Sequence, residues 1–353
     1  MKVKYAFKMS LAIFMSLASI SLSQEGIKEL IGAGASFPYP LYSKWFDVYA
    51  KTEGIKVNYQ SIGSGGGIQQ LLNKTVDFGA SDAFLSEEEK KKFEGETLHI
   101  PTALGGVAII YNLGENLKLK ITPEILADIF MGKIRDWQDE RIKKENSELQ
   151  IPKMPIIVVH RSDGSGTTFI FTDYLCKVSA EWREKVGQGK SVKWPAGVGG
   201  KGNEGVAGSV KQLPGSIGYV EVIYAENNHL QYALLKNKAG NYTAPSIKSI
   251  TEAANISLPE DLRVSITDTE SAEGYPISGF TWLLVYKNQK YGNRSVERAE
   301  ALQKLLIWCL TDAQKYNDTL LYAPLPKAAQ KRAMNLVLSM QYDDKKLKEE
   351  VVK

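Results

Sequence analysis

The chain has 353 residues, 43% hydrophobic and 24% charged, with a formal net charge of +4. That balance fits a folded, water-facing protein of about two domains and excludes a disordered, highly charged chain. Three of the positive charges are Lys2, Lys4 and Lys8, and without them the chain is close to neutral, so bulk charge cannot hold nucleic acid or an anionic membrane and any anion needs a local site.

The opening MKVKYAFK is followed by the uncharged MSLAIFMSLASISLS. Ser21 and Ser23 stand at the spacing of a signal-peptidase site, so residues 1–23 read as a signal peptide cleaved before Gln24. The apolar run is short for a membrane span, and no cysteine near the site could carry a lipid. The expectation is an exported, soluble protein. The two cysteines, Cys176 and Cys309, could form one disulfide in an exported chain, but both lie in apolar helix-like segments and are expected to be free thiols.

From residue 27 onward short apolar runs alternate with helical stretches. IKELIGAGASF reads as a strand and a glycine turn, and residues 38–52 as a helix with Leu41, Trp45, Phe46 and Tyr49 on one face. Residues 57–61 are strand-like, SGGGIQQLLNKT is a turn opening a helix, and VDFGASD is a short strand, after which Ser86 caps a charged helix. GGVAIIYN is a further strand. ITPEILADIFMGKIRDW reads as one helix, with Thr122 as cap and Pro123 in the first turn. PIIVVHRSDGSGTTFIFTDYL is strand, turn and helix; GSIGYVEV and YPISGFTWLLVYK are strands. A long helical tail follows, residues 297–319 and then 327–341. The alternation predicts an α/β fold with parallel strands. The charge runs at 87–92 and 343–350 read as solvated helix faces.

Three turns share one design. HRSDGSGTTFIF places Arg161, Asp163, Gly164, Ser165, Gly166, Thr167 and Thr168 between a buried-type strand and a helix. A helix start offers unpaired N–H groups, glycines allow close backbone approach, hydroxyls add donors, and Arg161 supplies a planar fork suited to an oxyanion. GAGASFPYPLYSKW repeats the design with Ser36, and SIGSGGGIQQLL with Ser64. Together they point to a site for a small tetrahedral anion.

Enzyme motifs fail on inspection. GQGKS ends like a phosphate-binding loop, but Glu184 stands where the first glycine should be. Neither Ser64 nor Ser165 sits in GxSxG, since Ile62 and Asp163 occupy the position two before. His99, His160 and His229 have no metal-binding spacing and read as surface or packing residues, so no catalytic residue, metal or cofactor is expected.

IGAGASFPYPLYSKW, VNYQSIGSGGGIQQL, TVDFGASDAFLS, HRSDGSGTTFIFTDYL, VKWPAGVGGKGNEGVAGSV and LPGSIGYVE, in this order, resemble the periplasmic phosphate-binding proteins of phosphate-specific ABC transporters. The resemblance implies a two-lobe periplasmic-binding-protein fold of type II, a hinged trap with the ligand in the interlobe cleft. It implies a first lobe of residues 24–103 and 277–353, a second of residues 104–276, and hinge strands at Pro101 to Gly106 and Pro276 to Gly279. It also implies phosphate contacts from Ser36, Phe37, Ser64, Asp82, Arg161, Asp163, Ser165, Gly166 and Thr167, with Asp163 orienting Arg161 and His160 outside the site. A monomer that delivers phosphate in the periplasm to a permease and ATPase complex, with no cofactor and no nucleic acid, completes what it implies.

The chemistry of these residues is consistent with that. An enclosed dianion needs every oxygen paired, and N–H and hydroxyl dipoles achieve this without several buried cations. Asp82 is the odd member: it either caps a helix in SDAFLS or accepts a hydrogen bond from a protonated phosphate oxygen, a contact that would repel fully deprotonated sulfate. Alternatives are a site for another oxyanion (sulfate, molybdate or a phosphonate), a secreted phosphatase on the same scaffold, or an added adhesive or signalling role.

Overall fold

The computed structural model describes residues 26–114 and 117–347, so the signal-peptide reading of residues 1–23 lies outside the described residues. The strands, in chain order, are β1 (Glu29–Gly34), β2 (Lys56–Ser61), β3 (Phe78–Ser81), β4 (Thr97–Tyr111), β5 (Lys120–Ile121), β6 (Ile157–Arg161), β7 (Val198–Gly200), β8 (Ser216–Glu221), β9 (Gln231–Tyr232), β10 (Leu234–Lys236), β11 (Tyr242–Thr243) and β12 (Ser278–Tyr286). The main sheet runs β2-β1-β3-β12-β4-β8-β6-β7, with β9 beside the end of β4; β11, β10 and β5 make a small second sheet.

Two strands tie the sheet together. The first part of β4 pairs antiparallel with β12, and the last part, Val107–Tyr111, pairs antiparallel with β8. One continuous strand therefore belongs to both ends of the sheet. Around it the expected parallel pairs are present, β1 with β2 and β3 on one side and β6 with β7 and β8 on the other. The sheet is mixed rather than all parallel, because β4 and β12 run against their neighbours. Both are buried along nearly their whole length, which is why they read as continuous apolar runs rather than alternating ones.

The helix Tyr39–Glu53 follows its sequence signals. Pro40 stands in its first turn, Gly54 ends it at φ 71°, and Leu41, Tyr42, Trp45, Phe46 and Tyr49 face the core. Three helical readings need correction. The helix after Thr122 covers only Pro123–Phe130, since Gly132 at φ 70° turns the chain and Asp136 then bridges to Pro155. The tail helix Val296–Leu310 gives way to short 3-10 turns before Lys327–Leu338. The charge run at 343–347 is no helix face: it forms the turn and second strand of a hairpin pairing Gln341–Tyr342 with Lys345–Lys346, and residues 348–350 lie outside the described residues. Cys176 and Cys309 are free, as expected. No helix among the described residues is long and apolar enough to cross a membrane.

The returning C-terminal segment is fastened to the first strands by one buried carboxylate. Asp77, 2% exposed, accepts the Ile31 N–H at 2.7 Å and two N–H groups of Arg298, each at 2.7 Å, and also pairs with Arg294. Truncating it leaves the buried Arg294 guanidinium uncompensated. Asp77→Ala is therefore expected to lower unfolding stability by about 3–5 kcal/mol in urea titrations; a loss below about 1 kcal/mol, the scale of an exposed pair, would contradict this account.

Candidate functional site

The predicted site residues come from four turns, and the sheet brings them to one place. Ser36 and Phe37 follow β1; Ser64 opens the helix Ser64–Leu72 after β2; Asp82 follows β3; Arg161 ends β6, and Ser165, Gly166 and Thr167 open the helix Gly166–Val178. The first three turns lie at one end of the sheet and the last at the other. Ser36, Phe37, Ser64, Asp82, Arg161, Ser165 and Thr167 are all 4% exposed or less.

The two ends touch directly. The Gly65 N–H donates to the Gly164 carbonyl at 2.8 Å, and the Gly166 N–H donates to Ser64 Oγ at 3.0 Å. Lys190 pairs with Glu89 at 2.8 Å. Glycine at 166 is a steric requirement, since a Cβ there would stand 2.6 Å from the Asp82 backbone nitrogen and 2.5 Å from its carboxylate.

Arg161 is held in a fixed orientation. Its Nε donates to Asp163 Oδ1 at 2.8 Å and its Nη2 to Oδ2 at 2.5 Å, while Nη1 reaches Thr167 Oγ1 at 3.3 Å. Of the five guanidinium hydrogens, one on each Nη remains for a ligand. Asp163 Oδ1 also accepts the Gly202 N–H at 3.1 Å. Burial works to raise the Asp163 carboxyl, but its hydrogen bonds and charge contact with Arg161 outweigh that and hold it below the usual range. Asp163 is thus placed as the orienter of Arg161.

Some expected donors are already used. The Ser165 N–H goes to the Lys190 carbonyl, and Ser165 Oγ caps its helix by accepting the Thr168 N–H at 3.0 Å. The Gly166 N–H goes to Ser64, as above. The Phe37 carbonyl accepts from the Tyr322 hydroxyl at 2.6 Å, so toward an anion Phe37 has its N–H to offer. His160 stacks on Trp194 with ring centroids 4.8 Å apart, turned to the aromatic core rather than the turns. His99 is buried and accepts the Leu85 N–H, and burial lowers it to about 4. No group of acidic, histidine or cysteine side chains among the described residues is arranged to hold a metal.

Two residues of the network escape single-residue reading of the sequence. Thr281, on β12, donates to Asp82 Oδ1 at 2.7 Å. Asn203 links Ser36 to Thr167, with Nδ2 at 2.9 Å from Ser36 Oγ and 3.1 Å from Thr167 Oγ1. The glycine-rich GVGGKGNEGV marks its neighbourhood, but nothing in that stretch marks Asn203 itself.

Residues 20–313 match the family model of the PBP superfamily domain. The phosphate-binding protein PstS of Pasteurella multocida is 46% identical over 90% of this chain and 92% of its own length. The chain belongs to this family of phosphate-binding proteins. PstS of Methanocaldococcus jannaschii is 41% identical over 86% of this chain and 84% of its own. At the level of fold, a phosphate-binding protein from Stenotrophomonas maltophilia superimposes with a TM-score of 0.68 at 19% identity, covering 87% of this chain and 93% of that one. The architecture is the two-lobe periplasmic-binding-protein fold, with the four turns between the ends of the sheet.

Asp82 is the residue most altered by this setting. Burial pushes its carboxyl up to about 7, against the opposing pull of the Thr281 hydrogen bond and the Arg161 charge. Asp82 caps no helix; the cap of the next helix is Ser86, in a capping box with Glu89. Because the folded form holds the proton more tightly than the unfolded chain, the stability Asp82 contributes is complete below about pH 4 and is lost as pH rises through about 7. In phosphate-free buffer Asp82→Asn should therefore gain melting temperature relative to the parent as pH rises from about 5 to 8. A difference that stays flat across that range would remove the buried, titrating carboxyl from the account.

Proposed function

We propose that the chain binds inorganic phosphate between its two lobes in the periplasm and delivers it to the membrane permease and ATPase of an ABC transporter. The observation that carries this is the convergence of Arg161, Ser36, Ser64, Thr167, Gly166 and Asp82 from both ends of the sheet into one buried network. Such a site offers dipoles and one oriented guanidinium to an enclosed anion, with a single carboxyl to meet a protonated oxygen. The names of the relatives support phosphate as that anion.

The proposed division is a first lobe of residues 24–103 and 277–353 and a second of residues 104–276, joined where Ser278 and Gly279 pair with Gly106 and Gly105. Closure would bring the Ser64 and Arg161 turns together on the ligand, and the ligand would favour that form through contacts to both. Ser36, Phe37, Ser64, Asp82, Arg161, the Ser165 hydroxyl and Thr167 are the proposed contacts, with Asp163 orienting Arg161, while Gly166, whose N–H is given to Ser64, packs against Asp82 at the edge of the site. The protein acts as a monomer and performs no chemistry on the ligand. Cleavage of a signal peptide before Gln24 would release it for this role.

Two measurements test the reading. Arg161→Ala should weaken phosphate binding by about 1.5–3 kcal/mol in calorimetry, the scale of a hydrogen bond to a charged group, and unchanged affinity would place the anion elsewhere. Asp82→Asn should shift the ratio of phosphate to sulfate dissociation constants toward sulfate at neutral pH, since the amide removes the repelling charge and can turn a donor to a bare oxygen. If phosphate weakens while sulfate still fails to bind, selectivity lies elsewhere in the site.

A further inference from the structure

A serine or threonine hydroxyl has one hydrogen to donate and two lone pairs to accept with. At Ser36 both lone pairs are engaged by a single residue: Asn203 N donates to Oγ at 3.1 Å and Asn203 Nδ2 at 2.9 Å. At Thr167, Oγ1 accepts from Asn203 Nδ2 at 3.1 Å and from Arg161 Nη1 at 3.3 Å. Each hydroxyl is left only with its hydrogen, so each must act as a donor to whatever lies beside it.

The orientation of the Asn203 amide is fixed by a partner that can only donate. The Glu221 backbone N–H reaches Asn203 Oδ1 at 2.9 Å, which makes that atom the carbonyl oxygen and turns both Nδ2 hydrogens toward Ser36 and Thr167. Asn203 is fully buried, second in the helix Gly202–Gln212, and all of its side-chain hydrogen-bonding groups are committed to these partners.

We propose that Asn203 is a positioning residue for anion binding: it touches no ligand oxygen but sets the Ser36 and Thr167 hydroxyls, one from each lobe, as obligatory donors. This rests on the reading of the cleft as a phosphate site. The consequence is selectivity for bare oxygen atoms at these two positions, while a protonated oxygen is directed to Asp82. A hydroxyl free to rotate must be reoriented when the anion binds, and here Asn203 has already done so.

The test is a double-mutant cycle with inorganic phosphate as the probe, read by calorimetry on the full protein, with melting temperatures recorded alongside. Asn203→Ala should weaken binding about tenfold or more, the scale of lost hydrogen-bond alignment. In a Ser36→Ala/Thr167→Val background the same substitution should change affinity less than about threefold, because the hydroxyls it orients are gone. If Asn203→Ala does not fold, Asn203→Asp serves in the same cycle. It keeps the acceptor for Glu221 and the shape but turns acceptors toward Ser36 and Thr167, so it should cost more in the parent, where both hydroxyls are drawn away from phosphate, than in the Ser36→Ala/Thr167→Val background, where only its charge acts on phosphate. Equal losses in both backgrounds, or no loss in either, would overturn the proposal and leave Asn203 a structural tie between segments. A parent protein that does not bind phosphate at all would instead defeat the phosphate reading, and this proposal with it.

Discussion

A buried anion must find a donor for every oxygen at the moment it leaves water, and the donors must not need one another. That constraint shapes the cleft more than any single charge. Backbone N–H groups are donors by nature, but hydroxyls have to be made so by occupying their lone pairs. Ser64 Oγ shows the same pattern as Ser36 and Thr167: it accepts the Gly166 N–H at 3.0 Å and the Asp82 N–H at 3.3 Å, which leaves its hydrogen to donate. Three hydroxyls in one site are each saturated as acceptors by neighbours that can only give.

The fold makes this possible because the turns belong to different ends of one sheet. Ser64 receives one of its two donors from across the cleft, from Gly166, and Ser36 receives both of its donors from across it, from Asn203. The approach is close enough that Gly164 and Gly65 meet backbone to backbone, where a Cβ on either would sit 3.2 Å from the other's Cα. Two strands carry the chain between the ends, and their buried, irregular pairing near Thr281 and Trp282 places Thr281 against Asp82. The strand that connects the lobes thus also supplies a hydrogen bond to the site.

Much of this was legible in the sequence because its signals are local. Glycines, hydroxyls and Arg161 cluster in short turns between an apolar strand and a helix start, and a turn of that kind can be read without knowing its neighbours. Apolar spacing runs on past both helix ends: Gly132 at φ 70° is a stop signal that the continuing apolar pattern masks, and Thr311 leaves helical backbone with no glycine or proline to announce it. Asn203 and Thr281 could not be singled out for a different reason. Each is one polar residue in a segment far from the turn it serves, and only the sheet order puts Asn203 beside Ser36, 167 positions away, or Thr281 beside Asp82, 199 positions away.

The charges of the cleft follow the same logic as its hydroxyls. Arg161 is fully buried as a side chain, but Asp163 meets it on two atoms, so the pair brings little net charge. Glu221, also buried, is pushed well above the carboxylate range, chiefly by burial and with Asp82 adding to the effect, and its Oε2 accepts the Ile223 N–H at 2.8 Å. Burial thus pushes both carboxyls toward their neutral forms, and Asp82, raised to about 7, still carries charge part of the time near neutral pH, a charge that an anion bringing its own proton can meet and a bare one cannot. In the proposed site the anion would be held mainly by oriented dipoles, and Asp82, raised to about 7, would be the one group able to meet a protonated oxygen.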